Sequence, residues 1–396
     1  MLIGLPGETK IAEARVALTP AAVETLVHEG HGVLVQHDAG VRSGFPDSLY
    51  QRAGATVVAT AAEAWAAELV VKVKEPQPGE FELFRPGLVL ATYLHRAAEP
   101  ELTQALLERE VDTFAYETVQ TEEGKLPLLA PMSEIAGRMA AQVAAHFLEM
   151  PSGGAGKLFG GAPGVPPSKV LVVGVGVVGY EAAHVALGMG AEVTLADRNL
   201  DRLRDVEHLL EGRFVTLASN PATLRAAVEE SDVVVGAVLI PGARAPRVIS
   251  ERMIASMRPG SVVVDVAIDQ GGCMETSRPT SHSDPVFVRH GVVHYCVTNM
   301  PGAVPHTSTV ALSNATLPYL VLIARDGLEA AAQRDPTLAA GLNTVRGRIA
   351  HPAVEEAYLA TRDRVVARDA DVARGVTVSE TSPSANGRLG ETVHTT

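Results

Sequence analysis

Short apolar runs alternate with stretches of helical spacing through residues 1–125. LIGLP (2–6), VLVQ (33–36), VVKVKEP (70–76), LVLATYL (88–94) and TFAYETV (113–119) read as strands. Thr19-Pro20 marks a helix start, with Thr as cap and Pro at the first helical position. A long helical pattern follows at 133–149, then strands at 170–173, 192–196, 233–238 and 261–268, and a further helix at 308–325. The strand–helix alternation predicts an α/β protein with mainly parallel sheets. The late helix predicts that the chain returns to its first domain.

Within this pattern, residues 170–199 carry the sharpest signal. An apolar run ends at Gly174, and Gly176 and Gly179 complete a G-x-G-x-x-G spacing. A helical stretch follows, then a second apolar run ending on Asp197. Strand, glycine turn, helix, strand and terminal acid are together the context of a dinucleotide site. Gly174 permits the turn, Gly176 lets a pyrophosphate approach the backbone, and Gly179 lets the helix pack on the sheet. The helix N-terminus offers free N–H groups and a positive dipole end to the phosphates. A carboxylate at 197 suits a ribose diol and repels a 2′-phosphate, which predicts NAD over NADP. Arg198 beside it could soften that repulsion. The plain alternative is a buried βαβ unit with a glycine-rich turn.

Composition narrows the class. A chain of 396 residues predicts two domains. With 46% hydrophobic residues it can fill two cores, and its 4% aromatics fit a Val-rich parallel-sheet interior. A net charge of −13 argues against nucleic acid as a partner. Cys273 and Cys296 are too few for a disulfide framework and read as inert packing residues. The opening MLIGLPGETK lacks a signal-peptide pattern, and the apolar region from Val170 is broken by glycines, Glu181 and His184. These features predict a cytoplasmic protein with no membrane partner. The 13 histidines form no zinc-ligand spacing, so no metal is expected. Gly156-Lys157 in the glycine-rich stretch 151–169 is no phosphate loop: Pro151 stands where the first glycine is needed, and Leu158 where Ser or Thr is needed.

Several polar residues fall at strand ends, where ligands bind in such sheets. They are Arg15, Lys74, His95, Glu117 and Asp269, with Asn299-Met300 closing the nucleotide domain. Read from the residues alone, each keeps a plain alternative. Arg15 is a surface cation, Lys74 a solvated strand end, His95 an exposed loop histidine, Glu117 a lone acid, and Asp269 a turn cap.

The segments ETKIAEARVALTP, VVKVKEP, TYLHRAAEPEL, PLLAPMSEIAGRMAAQ, VVDVAIDQGGC and VTNMPGAVPHTST occur in the order and spacing of the alanine dehydrogenase family, which the chain resembles from residue 2 to about 345. The NAD-binding subunit of transhydrogenase shares several of these motifs. The resemblance implies two Rossmann-like domains with a cleft between them. Residues 1–128 and 305–375 would form a discontinuous substrate domain, 129–304 the NAD-binding domain, and 376–396 a disordered tail. It implies reversible oxidative deamination of L-alanine to pyruvate and ammonia with NAD, in a homo-oligomer, often a hexamer. Carried over by position, Arg15 and Lys74 would hold the substrate, and His95 and Asp269 would serve as acid–base residues. Ser133, Gly174, Gly176, Gly179, Asp197, Arg202, Ser219, Asp269, Asn299 and Met300 would contact the cofactor. Arg96 departs from the apolar residue usual after this histidine. Other readings are an amino-acid dehydrogenase for a larger side chain, a transhydrogenase component, and a nucleotide-binding protein without catalysis.

Overall fold

The computed structural model describes residues 1–94, 100–238 and 244–360. Among these, the first six strands are β1 (Leu2–Leu5), β2 (Gly32–Gln36), β3 (Thr56–Val58), β4 (Leu69–Val71), β5 (Val89–Thr92) and β6 (Asp112–Ala115). The next seven are β7 (Lys169–Val173), β8 (Glu192–Asp197), β9 (Phe214–Ala218), β10 (Val233–Gly236), β11 (Val262–Asp265), β12 (Val286–Arg289) and β13 (Val292–Tyr295). Two more, β14 (Leu342–Val345) and β15 (Arg348–Ile349), follow the helix Pro305–Asp326. One sheet runs β15-β14-β6-β5-β4-β1-β2-β3 and the other β12-β13-β11-β10-β7-β8-β9. Both are parallel except at one edge, where β14 and β15 in the first and β12 in the second run antiparallel. Helices flank both sheets, giving an α/β protein.

Most of the expected elements form, with shifted bounds. Thr19 caps the helix Pro20–His28, its hydroxyl accepting from the Ala22 N–H. The apolar runs at 70–76, 113–119 and 261–268 extend beyond their strands. The chain leaves the first sheet at Val71, and Ala115 and Asp265 lead into short 3₁₀ turns. Tyr116, Ala267 and Ile268 in these turns are buried, so apolar character outlasts the ladder. The helices expected at 133–149 and 308–325 span Ala130–Phe147 and Pro305–Asp326. The Gly-Lys pair in the glycine-rich stretch is committed elsewhere, since Lys157 Nζ binds Asp232 Oδ2 at 2.7 Å.

The chain returns to its first sheet as expected. Thr309 Oγ1 on the late helix accepts the Val16 N–H at 3.1 Å, and Ser313 Oγ accepts that of Thr19 at 3.0 Å. β14 then pairs with β6, where the Thr113 and Thr344 hydroxyls meet at 2.8 Å in a buried contact. By length and composition Pro305–Asp326 is apolar enough to cross a membrane, the one such helix among the described residues. Here Leu312, Leu320 and Ile323 on it are buried in the core.

Helix Ala130–Phe147 packs on helix Val177–Gly188 at a point where Gly137 has no room for a side chain. A Cβ there would lie 2.3 Å from the Val178 carbonyl oxygen and 2.8 Å from Glu181 Cβ. Gly137→Ala would gain about 1 kcal/mol of helix propensity. The backbone clash opposes that gain, because overpacking costs about 1–3 kcal/mol and a carbonyl cannot rotate aside. The expected outcome is a lower melting temperature; an unchanged or raised value would show that the helices separate freely.

Candidate active site

The glycine turn has the geometry that its spacing predicts. Gly174 has φ +92°, and a Cβ on it would lie 2.6 Å from the Ala237 carbonyl oxygen. Gly179 sits on the turn, where a Cβ would be 1.9 Å from the Gly174 oxygen. At Gly176, by contrast, a Cβ would meet nothing closer than Arg202 Nη1 at 3.5 Å, which leaves the backbone open on that side. Asp197 is tied to the turn: its Oδ2 accepts the Val175 N–H at 2.7 Å and its Oδ1 that of Asn199 at 2.8 Å.

A cavity of about 800 Å³ opens beside this turn. Ser133, Gly174, Gly176, Asp197, Arg198, Arg202 and Ser219 all line it, and Thr121, Glu123 and Lys125 close it from the side of the first sheet. This size lies within the range of about 300–1,000 Å³ for small-molecule sites. A Cβ-free backbone, a helix N-terminus and a fixed carboxylate suit a dinucleotide. Gly179 lies beneath the turn and serves packing, and Met300 is 3% exposed in the core; neither lines the cavity.

A second cluster forms where the segment after β1 meets the segment after β13. Arg15 is 2% exposed, so it is no surface cation. Its Nε donates to Glu13 Oε1 at 2.7 Å and its Nη2 to Glu13 Oε2 at 2.5 Å. Nη2 also donates to Asn299 Oδ1 at 2.9 Å, while Nη1 faces Met132 Sδ at 3.1 Å. Sulfur is a weak acceptor, so the Nη1 edge retains donor capacity for a substrate carboxylate. The Asn299 N–H donates to both Asp269 oxygens, at 3.2 and 3.3 Å. Asn299 has φ +55°, a left-handed conformation that Asn tolerates better than most residues. Met132 at the cluster and Ser133 at the cavity are consecutive on one helix, Ala130–Phe147, which serves both.

The electrostatics set these groups apart. Burial pushes the Glu13 carboxyl up, but the hydrogen bonds and charge of Arg15 outweigh it and hold it at about 2. Burial, then the charge of Arg15, lowers Lys74 below an ordinary lysine. Asp269 remains open to solvent on one side, yet it sits in a recess. There desolvation raises its carboxyl against the pull of the Asn299 N–H and of Lys74, Lys10 and Arg15. Lys74 is half-buried rather than solvated, and Glu8 accepts its N–H at 3.3 Å and that of Val73 at 2.6 Å. Glu8 in turn faces the fully buried Lys72, whose ammonium binds Glu80 at 2.8 Å.

His95 and Arg96 lie outside the described residues. Glu117 is more than a lone acid, since its carboxylate accepts the N–H of Leu94, the residue before His95, at 3.0 and 3.2 Å. The reading of Cys273 and Cys296 holds: both are buried free thiols. Exposed His37 and Asp38 and half-buried Asp47 lie close enough together to hold a metal. Both ring nitrogens of His37 already face carboxylates, however, Nδ1 to Asp47 at 2.5 Å and Nε2 to Asp38 at 3.3 Å. Sequence reasoning missed Glu13, Lys10 and Glu8. Glu13 carried no signal in the sequence, because the burial of Arg15 that demands a near carboxylate shows only in the fold.

Family models match nearly the whole described chain: the alanine dehydrogenase/PNT N-terminal domain at residues 4–136 and the C-terminal domain at 140–352. The chain belongs to the alanine dehydrogenase/PNT family. An alanine dehydrogenase of Staphylococcus haemolyticus is 53% identical over 359 residues, covering 90% of this chain and 96% of that protein. Alanine dehydrogenase 2 of Staphylococcus aureus is 52% identical at the same coverage. A solved L-alanine dehydrogenase superposes with TM-score 0.88 at 51% identity, covering 90% of this chain and 99% of that one. A transhydrogenase from Sinorhizobium meliloti gives TM-score 0.77 at 28% identity, covering 89% and 100%.

Glu13 offers a direct measurement. Its carboxyl is depressed from 4.5 to about 2, so its stabilisation is complete above about pH 4.5 and fades as pH falls toward 2. That shift corresponds to roughly 3 kcal/mol. Glu13→Gln is expected to lower unfolding free energy strongly at pH 7, with the gap to the unsubstituted protein narrowing at pH 3.5. Equal stability of the two at pH 7 in urea melts would contradict the pairing.

Proposed function

We propose that this protein interconverts L-alanine with pyruvate and ammonia, using NAD as hydride carrier. The observation that carries the reading is a buried guanidinium whose Nη1 edge meets only a thioether, a weak acceptor. Arg15 is joined through Asn299 to the raised carboxyl of Asp269, and it stands against Met132 on the helix whose next residue, Ser133, lines the cavity beside the glycine turn. Membership of a family named for this activity supports it.

In this reading Arg15 takes the substrate carboxylate on its open fork, and Lys74 stands at the carbonyl oxygen. A lysine with a lowered proton affinity gives its proton more readily to developing negative charge. The substrate amine must be neutral before hydride leaves Cα, and water must then attack the imine carbon. His95 and Asp269 share that proton traffic, and a carboxyl raised by desolvation is suited to both accept and return a proton. NAD supplies the hydride acceptor when bound. Ser133, Arg202 and Ser219 would flank it, with the Gly174, Gly176 and Gly179 turn beneath its pyrophosphate and Asp197 at its ribose. Asp269 and Asn299 would stand on the nicotinamide side, while Met300 packs in the core. Residues 1–128 and 305–375 serve as substrate domain and 129–304 as cofactor domain; of these, 361–375, like the tail 376–396, lie outside the described residues. We further infer a cytoplasmic homo-oligomer, hexameric by resemblance.

NADH consumption with ammonia and a panel of 2-oxo acids tests the reading. Pyruvate should be the preferred acid. Faster turnover of bulkier acids would favour a related dehydrogenase, and no ammonia-dependent turnover would favour a transhydrogenase-like role. Lys74→Ala should lose roughly 2–5 kcal/mol of transition-state stabilisation with pyruvate, while NADH affinity stays within a few-fold. A normal pyruvate kcat/KM in that variant would remove Lys74 from the site.

Cofactor choice is a separate expectation. Asp197 opposes a 2′-phosphate, but Arg198 and Arg202 line the same cavity. Because Asp197 is already fixed by two backbone N–H groups, its charge is placed rather than mobile. NAD should therefore be preferred over NADP, and Asp197→Ala should narrow the ratio. Equal use of both by the unsubstituted protein would transfer control to the arginines.

A further inference from the structure

We propose that Asp265 is a positioning residue for Asp269: its buried carboxylate binds both ends of the loop 266–274 and so fixes where the Asp269 carboxyl stands. This rests on the reading of Asp269 given above.

Asp265 ends β11 and is fully buried. Its Oδ1 accepts the Ala267 N–H at 3.1 Å, where the loop departs. Its Oδ2 accepts the Cys273 N–H at 2.9 Å and the Met274 N–H at 3.3 Å, where the loop returns. The Ser277 hydroxyl donates to Oδ2 at 2.6 Å, and the Cys273 thiol lies 3.5 Å from Oδ1. A turn cap needs only the Ala267 contact. The remaining donors come from the far end, so one carboxylate closes the loop as a ring with Asp269 on its rim.

The surroundings are shaped to the same end. Gly271 and Gly272 turn the loop at φ +92° and +76°, and a Cβ on Gly272 would lie 2.8 Å from Asp265 Oδ2. Gly236 on β10 pairs with Asp265 in register, and a Cβ there would lie 2.4 Å from Cys273 Sγ. The loop is thus seated on the strand as well as tied to it. Burying a carboxylate costs several kcal/mol unless several donors satisfy it. Four hydrogen bonds from oxygen and nitrogen donors do so here. On its outer side Asp269 meets only the Asn299 N–H among the hydrogen bonds described, so its placement depends on the inner ring.

Asp265→Asn tests this. An amide offers one acceptor and turns an NH₂ toward N–H donors, which loosens one end of the ring. Small displacements of a catalytic group can cost about 10²-fold in rate. Asp265→Asn is expected to lower kcat for pyruvate amination about 10- to 100-fold. Pyruvate KM and NADH affinity should change much less than kcat, because Lys74, the Glu13 pairing of Arg15 and the glycine turn stand on other elements. Ser277→Ala, which removes one donor, should cause a smaller fall of the same kind. In an Asp269→Asn background neither change should lower kcat further, since a residue acting through Asp269 has nothing left to position.

A near-native kcat in Asp265→Asn overturns the proposal. So does the same fractional loss in the Asp269→Asn background, or a joint collapse of KM and NADH affinity. If Asp265→Asn does not fold, Ser277→Ala decides by the same two readouts, and an unchanged kcat there counts against the ring. Near-native turnover in Asp269→Asn alone is a different result: it overturns the role given to Asp269.

Discussion

A guanidinium is buried where two sheets meet, and a carboxylate two residues away is what allows it to stay there. Removing such a charge from water costs several kcal/mol, and the cost is offset only by close, well-aligned partners. Glu13 supplies two of these, on the Nε and Nη2 sides, and Asn299 a third. The arrangement leaves Nη1 against a thioether, the weakest acceptor in the cluster. The same pairing that stabilises Arg15 therefore decides which of its edges faces a ligand. It also sets the field felt by Lys74 and Asp269, whose shifts both include Arg15 among their causes.

Two carboxylates elsewhere repeat the device chiefly with backbone N–H groups, Glu8 also facing the Lys72 ammonium. Asp197 holds the glycine turn through Val175 and Asn199, and Glu8 holds the β4 exit through Val73 and Lys74. In each case an acid held by N–H groups fixes the start of a segment that reaches the site. Rigid placement of this kind is what lets loops, rather than strands, carry chemistry.

The sequence made the parallel strands, the glycine turn and the long helices legible, because each has a period or a residue type that nothing else demands. It did not reveal β3, β9, β13 or the antiparallel edge strands β12, β14 and β15. Those strands are short, several are partly exposed, and Leu342–Val345 mixes Asn and Thr with apolar residues. Arg15, Lys74 and Asp269 were visible as strand-end residues. Their partners were not: Glu13, Glu8 and Asp265 look like surface acids until burial shows otherwise. No spacing rule relates Asp269 to Asn299 or Arg15, since those contacts exist only once both sheets have folded.

The last strands have a consequence for the order of synthesis. β6 is an edge until β14 pairs with it, and β14 lies more than two hundred residues later in the chain. A growing chain can assemble β1 to β6 early, but it then carries an open strand edge while the entire second sheet is made. Thr113, whose hydroxyl ends against Thr344, spends that interval without its partner. An open edge is a template for pairing with another chain. Nascent copies emerging side by side on one messenger are therefore most vulnerable to each other before residue 345 appears, and a truncated chain ending at the second sheet keeps that vulnerability permanently.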